Sequence, residues 1–268
     1  MATRRRLDAE LVRRGLARSR EHAAELVGSG RVSVSGAPAT KPATAVDPAA
    51  AILVADSGAG PEYVSRGGVK LAGALDVFEP AGLGVPGRRC LDAGASTGGF
   101  TDVLLRRGAA QVLAVDVGYG QLAWSLRSDP RVVVLERTNV RDLDVGLLGG
   151  PVGLVVADLS FISLRLLLPA LARVCSSDAD LVLMVKPQFE VGRGRVGRGG
   201  VVRDPGLRAE AVVAVAEAAG EVGLGTAGVV ASPLPGPSGN VEYFLWLRRG
   251  APPASPEAID RAVREGPQ

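Results

Sequence analysis

Leu91-Asp92-Ala93-Gly94-Ala95-Ser96-Thr97-Gly98-Gly99-Phe100 is the stretch whose reading decides the fold. The apolar lead-in over residues 88–91, with Cys90, reads as the end of a strand, the glycines as a tight turn, and residues 100–107 as the first turns of a helix. A helix N-terminus offers bare backbone N–H groups, and glycines admit a ligand close to the main chain, which is the layout of a nucleotide cradle. Gly94, Gly98 and Gly99 run G-x-x-x-G-G, with no Lys-Ser/Thr pair after them. The spacing therefore matches neither the dinucleotide fingerprint nor a phosphate-binding loop.

Acidic residues flank the turn. Asp92 precedes the glycines, and the next strand-like run, from Gln111, ends on Asp116, the distance at which an acid meets ribose hydroxyls in strand-helix-strand sites. An acid beside the ligand tail repels a pyrophosphate and suits a cation, so S-adenosylmethionine, with its sulfonium, ammonium and ribose, fits better. A merely structural glycine turn is the competing reading.

From residue 88 onward β-rich runs alternate with helical stretches: residues 90–92, 111–116, 132–136, 154–158, 181–186, 227–232 and 242–247. Seven strands with intervening helices predict an α/β fold with a mainly parallel, doubly covered sheet, whose ligands sit beyond the carboxyl ends of the strands. Asp92, Asp116, Asp158 and Lys186 all fall at those ends, and Glu242 opens the last strand. Lys186 follows Leu181-Val182-Leu183-Met184-Val185, so its amine is expected to point into the crevice, where desolvation lowers its pKa and carboxylates counter the shift. A buried charge network fixing the sheet edge is the structural alternative.

The composition bounds the rest. At 268 residues and 47% hydrophobic, the chain has material for one large core, or a large and a small one. Cys90 and Cys175 sit in apolar runs and read as buried thiols, and with His22 as the single histidine no metal site is expected. Residues 1–20 lack a secretory core, and the apolar region 154–174 is broken by Asp158, Ser160 and Arg165, so a soluble cytoplasmic protein without a membrane span is expected. Residues 1–60 carry nine Lys/Arg against six Asp/Glu, which accounts for the whole net charge of +3.

Residues 6–16 and 19–28 show apolar residues at helical spacing, with Ser19 placed to cap the second helix; a strand and turn over 30–36 and a last strand at 51–54 complete a compact module. Residues 56–61 form a Gly-rich break, and Tyr63 reads as a packing anchor between two units. Ser65 is placed to cap a helix that runs towards Phe78 and contains Lys70. Residues 192–203 set Arg193, Arg195, Arg198 and Arg203 among glycines, which reads as a flexible basic clamp on an RNA backbone or a disordered surface loop.

The N-terminal pattern R-L-D-x-x-L-V-x-R-G-L-x-x-S-R-x-x-A-x-x-L-V resembles the RNA-binding module first named in ribosomal protein S-four. That resemblance makes Arg5, Arg6, Arg13, Arg14, Arg18, Arg20 and Arg31, together with Arg193, Arg195 and Arg198 of the later loop, candidate RNA contacts. Lys70, Asp158, Lys186 and Glu242 match in order the K-D-K-E tetrad of FtsJ-like ribose 2′-O-methyltransferases. With DAGASTGGF, ADLSFISL, VKPQFE and SPLPGPSGNVEYFLWL, the chain resembles the TlyA family of ribosomal RNA methyltransferases, often labelled haemolysins.

The resemblance implies a Rossmann-like class I methyltransferase with a seven-stranded mostly parallel sheet and a small N-terminal α+β RNA-binding domain. It divides the chain into residues 1–58, a linker at 59–64, a methyltransferase domain at 65–250 and a partly helical tail at 251–268. It further implies transfer of a methyl from S-adenosylmethionine to the 2′-hydroxyl of cytidine in rRNA of ribosomal subunits. Lys186 would deprotonate or polarise the hydroxyl, Asp158 and Glu242 would tune that amine, and Lys70 would steady the oxyanion. Asp92, Gly94, Ser96, Thr97 and Gly98 would hold the methionine end of the cofactor, Asp116 its ribose and Asn139 its adenine. The alternatives are an assembly factor with an inactive methyltransferase-like domain and a membrane-active haemolysin.

Overall fold

The computed structural model describes residues 4–17, 19–54, 63–236 and 238–267, and the chain divides into units spanning Met1–Glu62 and Tyr63–Gln268. The first unit contains β1 (Arg5–Arg6), α1 (Leu7–Arg13), α2 (Arg20–Gly28), β2 (Val32–Val34), β3 (Ala37–Pro38), β4 (Ala45–Val46) and β5 (Ile52–Val54). Leu7 and Leu11 share one face of α1, as Ala23, Leu26 and Val27 do on α2, and these faces close on Val32, Val46 and Ile52. Ser19 caps α2, its hydroxyl accepting from the His22 N–H at 3.1 Å. β2 pairs antiparallel with β3 and β5, and β1 with β4.

Arg14 ties this small core together. It donates to Glu10 at 2.8 Å and to the carbonyls of Ala50 and Pro48, each at 2.8 Å. The Gly-rich break at 56–61 and Arg18 lie outside the described residues.

The second unit runs α3 (Arg66–Phe78), β6 (Arg89–Ala93), α4 (Gly99–Arg106), β7 (Gln111–Val115), α5 (Trp124–Arg127), β8 (Val132–Leu135), α6 (Val145–Leu148), β9 (Val152–Ala157), α7 (Leu168–Arg173), β10 (Cys175–Val185), α8 (Pro187–Glu190), α9 (Pro205–Glu221), β11 (Gly225–Ala231), β12 (Tyr243–Arg248) and α10 (Pro256–Glu265). Its seven strands lie in the order β11-β12-β10-β9-β6-β7-β8, with β12 antiparallel to both neighbours and the contacts among β10, β9, β6, β7 and β8 all parallel.

Alternation along each strand divides the core into two faces. Leu91, Leu113 and Val155 pack with α7, α9 and α10, whereas Cys90, Val112 and Leu154 pack with α3 and α4. Helix α10, in the segment expected to be partly helical, contributes Ile259, Ala262 and Val263 to the first of these cores. The thiols of Cys90 and Cys175 are free, and burial pushes both up to about 12.

Helices α3 and α4 meet through glycines. A Cβ on Gly68 would stand 2.4 Å from the Tyr63 Cβ, and one on Gly99 would stand 2.7 Å from the Gly68 nitrogen. Tyr63 is thereby packed into the core of its own unit, with the Arg106 guanidinium 5.0 Å from its ring centroid, and the Val64 N–H donates to Asp102. Ser65 occupies the N-cap position of α3, but its side chain makes no capping bond; its hydroxyl lies against Gly99 at the start of α4.

Candidate active site

Five strand ends build one edge. Asp92 is the fourth residue of β6, Asp116 follows β7, Asp158 follows β9 and Lys186 follows β10. Because β12 runs antiparallel, its start brings Glu242 to the same edge. The cleft there, about 300 Å³, is lined by Arg66, Gly67, Lys70, Gly94, Ser96, Asp158, Ser160, Lys186 and Pro235.

The four tetrad residues form two ion pairs. Lys186 Nζ lies 2.6 Å from Asp158 Oδ1 and donates to Ser160 Oγ at 2.9 Å. Lys70, one turn into α3, meets Glu242 Oε2 at 2.5 Å, with side-chain exposures of 8% and 1%. The expected contact of Glu242 with Lys186 is replaced by one with Lys70. The antiparallel entry of β12 delivers its carboxylate to Lys70, and the partners of Lys186 are Asp158 and Ser160.

The glycine turn packs against this pair. Gly94, at φ +89°, leaves no room for a Cβ, which would meet the Asp158 carbonyl oxygen at 2.6 Å. Gly98, at φ +100°, is filled over by Leu122 and Leu126, so it serves the turn and its packing, and the Thr97 carbonyl accepts from Ala123 N–H. Ser96 is held at φ +46°, its N–H donating to Asp116 Oδ2 at 2.8 Å, while Asp116 Oδ1 accepts from Gly118 N–H at 2.7 Å.

Asp92 lies beneath the turn, fully buried. Oδ2 accepts from the Thr101 hydroxyl at 2.7 Å, and Oδ1 has no partner among the described residues. Burial, followed by the charges of Asp158 and Asp116, raises its carboxyl to about 7. Asn139 does not line the cleft. It is exposed, and its Oδ1 accepts from the Arg141 N–H.

Arg66, Ser160 and Phe161 were not among the residues singled out from sequence. Phe161 is 91% exposed at φ +66°, its ring 5.4 Å from that of Phe189, directly after Ser160. Position is the signal that could have found the last two, since both follow Asp158 at a strand end.

The candidate RNA-contacting arginines divide by partner. Arg6 and Arg20 donate to Asp8, and Arg13 and Arg14 to Glu10, while Arg5 is exposed. The later loop makes several contacts: Arg195 pairs with Glu210, Arg198 accepts through its carbonyl from Arg203, and Val201 and Val202 are buried.

Fold and site together define an FtsJ-like methyltransferase. That family description matches residues 63–249, and the description S4 domain matches residues 5–52. The chain is 64% identical, over the full length of both, to the 16S/23S rRNA (cytidine-2'-O)-methyltransferase TlyA of Mycobacterium tuberculosis. It is 37% identical to Hemolysin A of Brachyspira hyodysenteriae, over 89% of this chain and 98% of that one. A solved Streptococcus thermophilus structure described as a hemolysin is 37% identical and superposes with a TM-score of 0.77, covering 99% of this chain and 96% of that one. The chain belongs to the TlyA family.

Among the described residues no helix is long and apolar enough to cross a membrane.

Proposed function

We propose that the chain transfers a methyl group from S-adenosylmethionine to the 2′-hydroxyl of a cytidine in ribosomal RNA. The observation that carries this reading is the single cleft in which Lys70, Asp158 and Lys186 converge beside Gly94 and Ser96. The Mycobacterium tuberculosis relative, identical at 64% of positions, is named for this reaction.

The residues present fit the cofactor. The unpartnered Oδ1 of Asp92 favours a cation above the turn, and each Asp116 oxygen, accepting one N–H, retains a lone pair for a ribose hydroxyl. Asp92, Gly94, Ser96 and Thr97 would face the methionine end, with Gly98 shaping the turn. Asn139 retains its amide N–H groups for adenine. When bound, S-adenosylmethionine supplies a methyl carbon made electrophilic by its sulfonium.

A ribose hydroxyl is a poor nucleophile and needs its proton accepted as attack begins. Lys186 is the residue placed to take that proton, steadied by Asp158 and Ser160. The Lys70 ammonium, fixed by Glu242, stabilises the developing alkoxide. Arg66 at the cleft mouth suits a phosphate next to the reacting ribose, and Phe161 offers a ring on which an unstacked base can rest. The basic N-terminal unit holds the structured RNA by shape and charge, and the substrate of this reaction is ribosomal RNA in subunits in the cytoplasm.

The test is transfer of labelled methyl from S-adenosylmethionine to unmodified small and large ribosomal subunits. Label on cytidine ribose that falls about 10²- to 10⁴-fold in Lys186→Ala supports the reading. No label on either subunit, despite binding, means an assembly factor and defeats it.

A further inference from the structure

We propose that Asn240 is a positioning residue that couples the basic loop, residues 192–203, to the Lys70–Glu242 pair. The inference rests on the methyl-transfer reading above, and it concerns how RNA held at the loop reaches the chemistry.

Asn240 is buried, and both ends of its amide are used by the loop. Oδ1 accepts from the Val202 N–H at 2.9 Å, and Nδ2 donates to the Gly200 carbonyl at 2.8 Å. Arg208, buried in the first turn of α9, donates from Nε to the Val202 carbonyl at 2.9 Å. Val202 is thus gripped at both backbone groups by side chains from two different elements. Removing the amide would leave the buried Val202 N–H without a partner, which costs more than the bond itself contributes.

The main chain of Asn240 faces the catalytic pair. Its carbonyl accepts from the Gly236 N–H at 2.8 Å and closes the turn ahead of β12. Gly236 sits so close to Glu242 that a Cβ there would lie 2.6 Å from Oε1, while Glu242 Oε2 holds Lys70. A shift of Val202 therefore passes through Asn240 and Gly236 to the carboxylate that fixes Lys70. Arg195, Arg198 and Arg203 ride on the loop side of this chain of contacts. Non-additivity in kinetics separates this coupling from a purely structural staple with the same bonds.

The experiment compares full-length wild type, Asn240→Ala, Arg198→Ala and the double variant on unmodified ribosomal subunits, with cofactor affinity measured by titration of S-adenosylmethionine. Coupling predicts that Asn240→Ala lowers kcat about tenfold or more and raises KM for the subunit, with the cofactor Kd unchanged within about twofold. It also predicts that Arg198→Ala raises KM in the wild-type background and adds little to Asn240→Ala. A raised KM with unchanged kcat, or strict additivity, overturns the coupling and leaves Asn240 a loop anchor. If Asn240→Ala does not fold, Asn240→Asp, which keeps the acceptor for Val202 N–H and loses the donor to Gly200, is judged by the same split. Absence of transfer by the wild type overturns the methyl-transfer reading itself, and the coupling with it.

Discussion

Asp92 and Asp180 are both fully buried carboxylates on one sheet, and they are treated in opposite ways. Asp180, at the middle of β10, accepts from Arg88 at 2.6 Å, from the Trp246 indole at 2.7 Å and from Arg248 at 2.9 Å. Asp92, at the carboxyl edge, has one hydroxyl partner and, among the described residues, no partner for its other oxygen. Burying a charge is costly unless it is paired. The satisfied acid holds the sheet together, whereas the unsatisfied one stores a cost that a cationic ligand relieves.

The largest effect belongs to the unsatisfied edge. Removing Lys186 is expected to lower turnover about 10²- to 10⁴-fold, and adding Asp158→Ala to that variant to lower it little further, because the two act as a unit. Thermal unfolding of both variants should stay close to wild type. Large destabilisation would mean that this pair, like Asp180, is structural.

Asp180→Ala supplies the converse. It strands the buried Trp246 N–H and frees two arginines that reach water, so stability is expected to fall by about 3 kcal/mol, read from denaturant midpoints. The cofactor Kd should be unchanged. A selective loss of cofactor binding without destabilisation would break the distinction.

Asp92 sharpens it through pH. Its folded carboxyl is raised to about 7 from the ordinary aspartate value of 3.8, so between about pH 4 and 7 the folded state holds a proton that the unfolded state has released. Its contribution therefore makes stability fall as pH rises through that window, by on the order of a few kcal/mol, and level off above it. Asp92→Asn is expected to flatten the slope and to be the more stable protein at pH 8, while binding S-adenosylmethionine more weakly. An unchanged slope would show that Asp92 is ionised at neutral pH.

Much of this architecture was legible in the chain. β-rich runs of three to six residues located all seven strands, and charged residues closing those runs located the edge that carries Asp116, Asp158 and Lys186. The pairing across that edge was not legible. Lys70 and Glu242 are 172 residues apart, and which lysine meets which acid depends on the antiparallel entry of β12, a feature with no local period. The two-residue ladder of β1 and β4 was missed for the same reason. Expecting residues 192–203 to be flexible followed from their glycines, but the buried partners of that segment, Asn240 and Arg208, come from sequence well beyond it.

The smallest effect carries the comparison into the N-terminal unit, where Arg14 and Arg5 stand as Asp180 and Asp92 do. Arg14 is 22% exposed and spends its donors on Glu10 and two backbone carbonyls. Arg5 is exposed, with no side-chain partner among the described residues. Arg14→Ala should lower the melting temperature by several degrees, with any loss of RNA binding following from that. Arg5→Ala should leave melting unchanged and weaken subunit binding, reducing the magnitude of the log Kd against log salt slope by about one phosphate contact.

Acid should act on the same division. Hydrogen bonds from Arg13 and Arg14 hold Glu10 down at about 2, and Arg6 chiefly holds Asp8 well below the usual carboxylate range. Both groups have depressed folded pKa values, so the stability they contribute is present above about pH 4 and is lost as pH falls towards 2, the opposite sign to Asp92. Arg14→Ala should shrink that acid loss and Arg5→Ala should not. An Arg5 variant that melts early, or that leaves the salt slope intact, would place Arg5 among the structural arginines and remove it from the RNA surface.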